Sequence, residues 1–359
     1  MTKTKGNVNM KKKIIATILT GIMAMSMTAC GSTASSDTAS AAASSGKVTS
    51  SSTKETEGKT YSMTYIMLRR DEFNSSLESA AKEAAAEMGI NLSTQDANSD
   101  SSKQIQYIES AANAKEDAVL VGLVDVATGK ECIEAAGGMP IVFINNPLED
   151  DTLLEEYDNA VFVGSNESEA GQFQGEYLAE YFKEQGKTDV NYIMLEGLSG
   201  YTSTIRRTDA AKQALADNGI NAIPAAADLV ADYDRATAMD MISPLIGTAE
   251  IDCIIANNDA MALGAIEALK AKNIDPSTIP VVGIDATADG IQAIEDGEMA
   301  MTVFQNPIGQ GSAAVKVAVN LLEGKEVNEG TGYELDETNK SCLWVPFEPV
   351  TAENVADYK

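Results

Sequence analysis

The sequence predicts an α/β fold of two lobes of similar βαβ design, and three observations carry that prediction. From Tyr61 onward, short apolar runs alternate with longer segments of helical period, as in parallel sheets covered by helices on both faces. Residues 80–92 (AAKEAAAEMGINL) and 210–222 (AAKQALADNGINA) agree at eight of thirteen positions at an offset of 130. Each copy reads as a helix closed by a glycine, Gly89 or Gly219, that leads into a strand. Finally, 44% hydrophobic residues over 359 positions is enough for the cores of about two domains, despite a formal charge of −28.

Taken in order, the first elements are an address and not part of the fold. Lys11, Lys12 and Lys13 precede an uncharged run from Ile14 to Ala29, sixteen residues that are too short for a comfortable membrane span and read as a secretory signal. The run ends in Met27, Thr28, Ala29 and Cys30, which resembles the lipobox of bacterial lipoproteins, so residues 1–29 are expected as a lipoprotein signal and Cys30 as the lipidation site. Plain secretion with Cys30 as a stray thiol is the simpler alternative, and Met10 is an alternative start. Ser, Thr, Ala and Gly fill 23 of the 30 positions in 31–60, too little apolar surface to order a core, so residues 30–60 are expected as a flexible tether. Residues 1–29 carry five Lys and no acid; the chain from Cys30 onward has 21 basic and 54 acidic side chains, a net charge of −33.

The strands then fall at 62–68, 91–95, 118–123, 141–145, 160–164, 190–195, 220–223, 251–256, 280–284 and 299–304. Helices are expected at 75–88, 102–114, 167–182, 208–218, 235–246, 260–270 and 310–322.

The chain has no histidine, which excludes Ser-His-Asp and Cys-His pairs, HExxH zinc sites and imidazole bases. With 54 acidic against 26 basic side chains it has no phosphate-binding face, so nucleic acid is not a partner. Cys132, Cys253 and Cys342 allow at most one internal disulfide and match no metal spacing; Cys253, in the run 251–256, reads as a small buried hydrophobe.

In open parallel sheets, ligands bind beyond the carboxyl ends of the strands. Those stretches are rich in planar polar groups and aromatics: Arg69, Arg70, Asp71 and Phe73; Asn145 and Asn146; Tyr201, Ser203, Arg206 and Arg207. The later ones repeat the pattern with Tyr233 and Asp234, then Asn257, Asn258 and Asp259, then Asp285, Gln305 and Asn306. Paired donors and acceptors suit adjacent ring hydroxyls, and aromatic faces suit the C–H faces of the same ring, the chemistry of a neutral sugar site. Each residue also has a plainer reading: Asp259 and Asp285 as helix caps, Asn145 to Pro147 as a turn, Phe73 and Tyr233 as core at a lobe edge.

The segments IANNDAMALGAIEALKA (255–271), PVVGIDA (280–286) and YDNAVFVGSNESEAGQFQGEYLAEY (157–181) resemble the galactose/glucose-binding proteins, within the ribose/galactose group of type I periplasmic binding proteins. The resemblance runs from about Tyr65 to Tyr358. It implies two Rossmann-like lobes, 61–164 plus 306–338 and 165–305 plus 339–359, joined by three hinge crossings near Gly164 and Ser165, Gln305 and Asn306, and Asn339 to Cys342. It also implies that the lobes close around one sugar and hand it to the permease and ATPase subunits of an ABC importer. By the same resemblance Asp71, Phe73 and Asn145 are contact positions of the first lobe, while Arg207, Asn258 and Asp285 are polar contacts of the second. Tyr233 takes the place of a stacking tryptophan.

Departures from the pattern bear on specificity. Tyr201 and Ser203 stand where the galactose/glucose pattern has His and Asp, and Gln305 stands where it has Asn, as in ribose-binding relatives. The calcium loop of that family is missing, since Gly186, Lys187, Thr188 and Asp189 are too few to encircle the ion; no metal and no cofactor are expected.

The expected protein is therefore a monomeric, lipid-anchored, extracytoplasmic receptor, not an enzyme, for a galactose- or glucose-type hexose. A pentose receptor of the same family is the alternative. A glycosidase using Asp71 with Asp285 is a rival from another class, and a transcription regulator of the same fold is disfavoured by the signal and tether at its N-terminus. Without histidine, sugar affinity is expected to vary little between about pH 6 and 8.

Overall fold

A computed structural model describes residues 60–359; the signal, Cys30 and the tether up to residue 59 lie outside the described residues. The first sheet is entered by β1 (Ser62–Met67), α1 (Glu72–Glu87), β2 (Asn91–Asp96), α2 (Ser101–Ala114), β3 (Ala118–Val121), α3 (Gly129–Ala136), β4 (Ile141–Ile144) and β5 (Ala160–Gly164). The chain then forms α4 (Glu167–Glu184), β6 (Asp189–Glu196), α5 (Thr202–Asp217), β7 (Asn221–Pro224), β8 (Leu229–Val230), α6 (Arg235–Ile242) and β9 (Cys253–Ala256). After these come α7 (Asp259–Ala271), β10 (Val281–Val282), α8 (Ala288–Glu295), β11 (Met301–Gln305), α9 (Pro307–Glu323), β12 (Glu334–Leu335), β13 (Cys342–Trp344) and β14 (Phe347–Thr351).

Two sheets result, ordered β12-β13-β5-β4-β3-β1-β2 and β14-β11-β10-β9-β6-β7, with β8 also on β6. Only the β12–β13 and β11–β14 pairings are antiparallel. The central strands are buried on both faces, which is why they read as continuous apolar runs. On β1, Tyr65 packs with α1 and α9 side chains such as Leu77 and Val315, while Ile66 on the opposite face packs with Ile108, Val121 and Phe143.

The repeated segment has one geometry in both sheets. Gly89 (φ 69) and Gly219 (φ 79) end α1 and α5 in the left-handed region. The next amides close back onto the helix, Ile90 N to Ala85 O at 2.8 Å and Ile220 N to Leu215 O at 3.0 Å. Each copy then feeds a strand beside the first strand of its lobe, β2 on β1 and β7 on β6.

Three crossings join the sheets. After β5 the chain leaves through Ser165 into α4, which packs on α5 and β11; after β11 it returns through Asn306 into α9, which packs on α1 and β3 to β5. The third crossing differs from expectation. Cys342–Trp344 pairs in parallel with β5, so this segment belongs to the first sheet and the chain crosses at 345–346, later than Asn339 to Cys342. The reason is tertiary: Leu343 is fully buried in the first-lobe core beside Val163.

Helix α5 begins at Thr202, six residues before the expected start; Thr202 to Thr208 carries little apolar period to signal it. That shift places Ser203 and Arg207 four residues apart on one helical face. α4 lies very close to α5. A Cβ on Gly171 would come within 2.1 Å of the Arg207 carbonyl oxygen, and one on Gly175 within 2.5 Å of the Ala211 carbonyl oxygen. Cys132, Cys253 and Cys342 are buried free thiols.

Candidate ligand site between the two lobes

The carboxyl ends of the strands from both sheets face one cavity of about 90 Å³, several times the roughly 10–15 Å³ that a single water needs. From the first lobe it is lined by Asp71, Phe73 and Asn145, with Arg69 and Glu72; from the second by Tyr201, Ser203, Arg207, Tyr233, Asn258, Asp285 and Gln305. All ten residues expected at the site therefore line one cavity. Arg70 and Arg206 do not: Arg70 pairs with Glu78 at 2.6 Å, and Arg206 lies 3.7 Å from Asp151.

Asp71 is held by its place at the start of α1. It caps the helix, accepting from the Asn74 amide at 2.9 Å, and its other oxygen accepts from Arg69 Nε at 3.2 Å. Arg69 in turn donates to the Asp232 carbonyl of the opposite lobe at 3.0 Å. Asn145 donates to Gln310 Oε1 at 3.2 Å, and Gln310 donates to Ser165 Oγ at 3.0 Å, so the first crossing is tied to the site.

The centre of the second lobe is Arg207. Its Nε donates to Glu167 Oε2 at 2.5 Å, Nη1 to the Asn257 carbonyl at 2.7 Å and Nη2 to Gln305 Oε1 at 3.2 Å. Burial works against the charge, and the Glu167 carboxylate more than restores it, so the guanidinium stays protonated. Gln305 spends its carbonyl on Arg207, and its Nε2 has no partner among the described residues although the atom is buried. A buried donor of this kind is satisfied by an acceptor on a ligand or a water.

Asp285 is 8% exposed, and its carboxylate accepts no hydrogen bond from another described residue. Burial pushes its carboxyl well above the usual carboxylate range; Arg207 opposes this, and Asp259, Asp71 and Glu167 reinforce it. Neither Asp285 nor Asp259 is a helix cap. Asn258 caps α7 by accepting from Met261 N at 3.0 Å, and Thr287 caps α8. Asp259 lies fully buried behind Asp285, accepting from Thr302 Oγ1 at 2.6 Å and from Thr287 N at 2.8 Å. Burial pushes it up to about 7. Gly283 and Gly290 make room for it: a Cβ on either would lie 2.2 Å from a carboxylate oxygen of Asp259.

Tyr233 rests on Gly197, where a Cβ would fall 2.0 Å from its ring, and its hydroxyl bonds Thr204 Oγ1 at 2.8 Å and Ser203 Oγ at 3.1 Å. Tyr201 donates across the cleft to the Val124 carbonyl, and Thr202 Oγ1 donates to the Leu148 carbonyl at 3.2 Å. Asn145 (φ 70), Tyr233 (φ 60) and Asp285 (φ 120) occupy backbone regions that non-glycine residues rarely adopt.

Glu167, Asn257 and Asp259 hold the site from behind; Glu167 has no local signal in the sequence, whereas Asn257 and Asp259 stand in the expected strand-end stretch. Among the described residues no helix is long and apolar enough to cross a membrane.

Residues 64–326 match the model of a periplasmic binding protein domain. A putative rhizopine-binding protein of Rhizobium meliloti is 31% identical, over 80% of this chain and 89% of its own length. A D-galactose/methyl-galactoside-binding periplasmic protein of Haemophilus influenzae is 30% identical, over 83% and 89%. Among solved structures, an ABC transporter solute-binding protein of Bacillus halodurans with bound myo-inositol superposes with a TM-score of 0.72 at 30% identity, covering 84% of this chain and 97% of that one. The chain belongs to the periplasmic binding protein family. Within it the chain falls in the ribose/galactose group of sugar-binding solute receptors that serve ABC transporters, and it is a binding protein, not an enzyme.

Proposed function

We propose that the protein is an extracytoplasmic receptor that captures one galactose- or glucose-type hexose in the cavity between its lobes and delivers it to an ABC importer. The observation that carries this reading is the pair of unpaired groups in one small cavity: the Asp285 carboxylate, which accepts, and the Gln305 Nε2, which donates. A polyhydroxylated ring supplies both counterparts from adjacent hydroxyls, and the Phe73 and Tyr233 rings bound the same cavity. A cyclitol is a second reading, favoured by the myo-inositol bound to the Bacillus halodurans relative.

Asp71, Asn145, Arg207 and Asn258 complete the polar contacts, with Tyr201 and Ser203 forming one wall. Asp285→Ala and Arg207→Ala test the assignment. Each leaves polar groups unpaired in a closed cleft, so each should weaken ring binding by at least about tenfold; unchanged affinity in both contradicts it. Cys30, at the end of the signal-like run, is the proposed lipid anchor. A diacylglyceryl mass on the N-terminal peptide of the native protein supports it, and an unmodified thiol there rejects it.

A further inference from the structure

A second, more open cleft of about 390 Å³ adjoins the ring cavity, and Tyr201 is the residue that lines both. Its walls come from both lobes, Ser99, Asp125 and Glu149 on one side and Ser199 and Gly200 on the other, with hydroxyls, carboxylates and backbone groups. That is a lining suited to the hydroxyls of a further sugar unit.

Tyr201 is poorly suited to its place in the helix. It occupies the N-cap of α5 without making a side-chain cap bond, at a position where Ser, Thr, Asp or Asn would satisfy an amide. Its side chain is instead 8% exposed and reaches across the cleft, where the hydroxyl donates to the Val124 carbonyl. The ring therefore stands between the cavity and the open cleft, held by its backbone at one end and by the Val124 carbonyl at the other.

We propose that Tyr201 is the residue that limits this protein to a single unsubstituted ring, and that the space behind it admits a ring substituent, such as an O-methyl group or a glycosidic sugar unit, when the partition is removed. This rests on the reading of the ring cavity as a polyol site.

The test is calorimetric titration of the full chain with galactose, glucose, ribose and myo-inositol. The tightest of these is then compared with its own mono-O-methyl derivatives, and, where that ring is a sugar, with disaccharides carrying it. Tyr201→Ser is the principal variant, because serine restores an N-cap while removing the partition; Tyr201→Ala is the second, and Tyr201→Phe keeps the partition without its cross-lobe bond. Wild type should prefer the bare ring over every derivative by at least about tenfold, and Tyr201→Ser or Tyr201→Ala should shift that ratio by about tenfold or more for at least one derivative. Tyr201→Phe should bind more weakly throughout and keep the wild-type ratio. A ratio unchanged in Tyr201→Ser and Tyr201→Ala, or shifted equally by Tyr201→Phe, overturns the partition while leaving the polyol site standing. Binding of no ring by wild type overturns the polyol reading and the partition with it.

Discussion

Arg207 Nε and Glu167 Oε2 stand 2.5 Å apart, with side-chain exposures of 6% and 1%, in a pair that links the second-lobe face of the cavity to the helix leaving the first crossing. The pair exists because α4 can approach α5 at Gly171. Removing one partner of such a pair leaves a buried, uncompensated charge. Glu167→Ala should cost about 3–5 kcal/mol in urea unfolding, with Glu167→Gln costing less. Gly171→Ala, by forcing the helices apart, should lower stability and ring affinity together. Unchanged stability in Glu167→Ala would mean that Arg207 is held by Asn257 and Gln305 alone.

Asp259 gives stability a pH dependence. An unfolded Asp ionises near pH 4, whereas burial pushes Asp259 up to about 7. Between those values the folded chain keeps a proton that the unfolded chain has lost. The contribution is therefore complete below about pH 4 and falls as pH rises to about 7. The thermal midpoint of the ligand-free protein should fall over the upper part of that range, and Asp259→Asn should fall less steeply; equal slopes would refute the assignment.

Ring affinity should also depend on pH wherever Asp285 titrates, a group that the absence of histidine does not bear on. The Asp285 carboxyl is raised by burial and by Asp259, Asp71 and Glu167, against Arg207. The ionised form accepts more hydrogen bonds from ring hydroxyls, so binding expels the proton. Affinity should rise with pH as the raised Asp285 carboxyl ionises, and Asp285→Asn should bind weakly with a flatter profile. Titrations in two buffers of different ionisation enthalpy would count the released proton. Zero release at every pH titrated would exclude Asp285 as the titrating contact.

Tyr233 has two separable roles. Its ring lines the cavity, and its hydroxyl ties Ser203 and Thr204 to it. Tyr233→Phe should weaken binding only mildly, since the hydroxyl bonds Ser203 and Thr204, while Tyr233→Ala should lose clearly more by removing the ring face. Calorimetry showing equal losses would mean that the ring face is not used.

Most strands and the repeat were legible because parallel strands buried on both faces leave apolar runs, and because a glycine in the left-handed region marks a helix end. The ten cavity residues lie among the polar residues that follow strands, and only the family resemblance singles them out there; position after a strand fixes where side chains gather but not what supports them. Glu167 looked like any acid in the first turn of a helix; its partner lies forty residues away and becomes visible only when α4 meets α5. The cap of α7 falls one residue before the Asp259 that the sequence suggests, since Asn258 takes it and Asp259 turns inward. The third crossing was missed because Cys342–Trp344 is three residues long and owes its place to pairing with β5.

The most direct measurement is calorimetric titration of the purified protein near neutral pH with galactose, glucose, ribose, xylose, arabinose and myo-inositol. One ring should bind with a stoichiometry of one and a dissociation constant of about micromolar or tighter, and Asp285→Ala should abolish the heat. No binding by any of them below about millimolar would contradict a polyol site between the lobes.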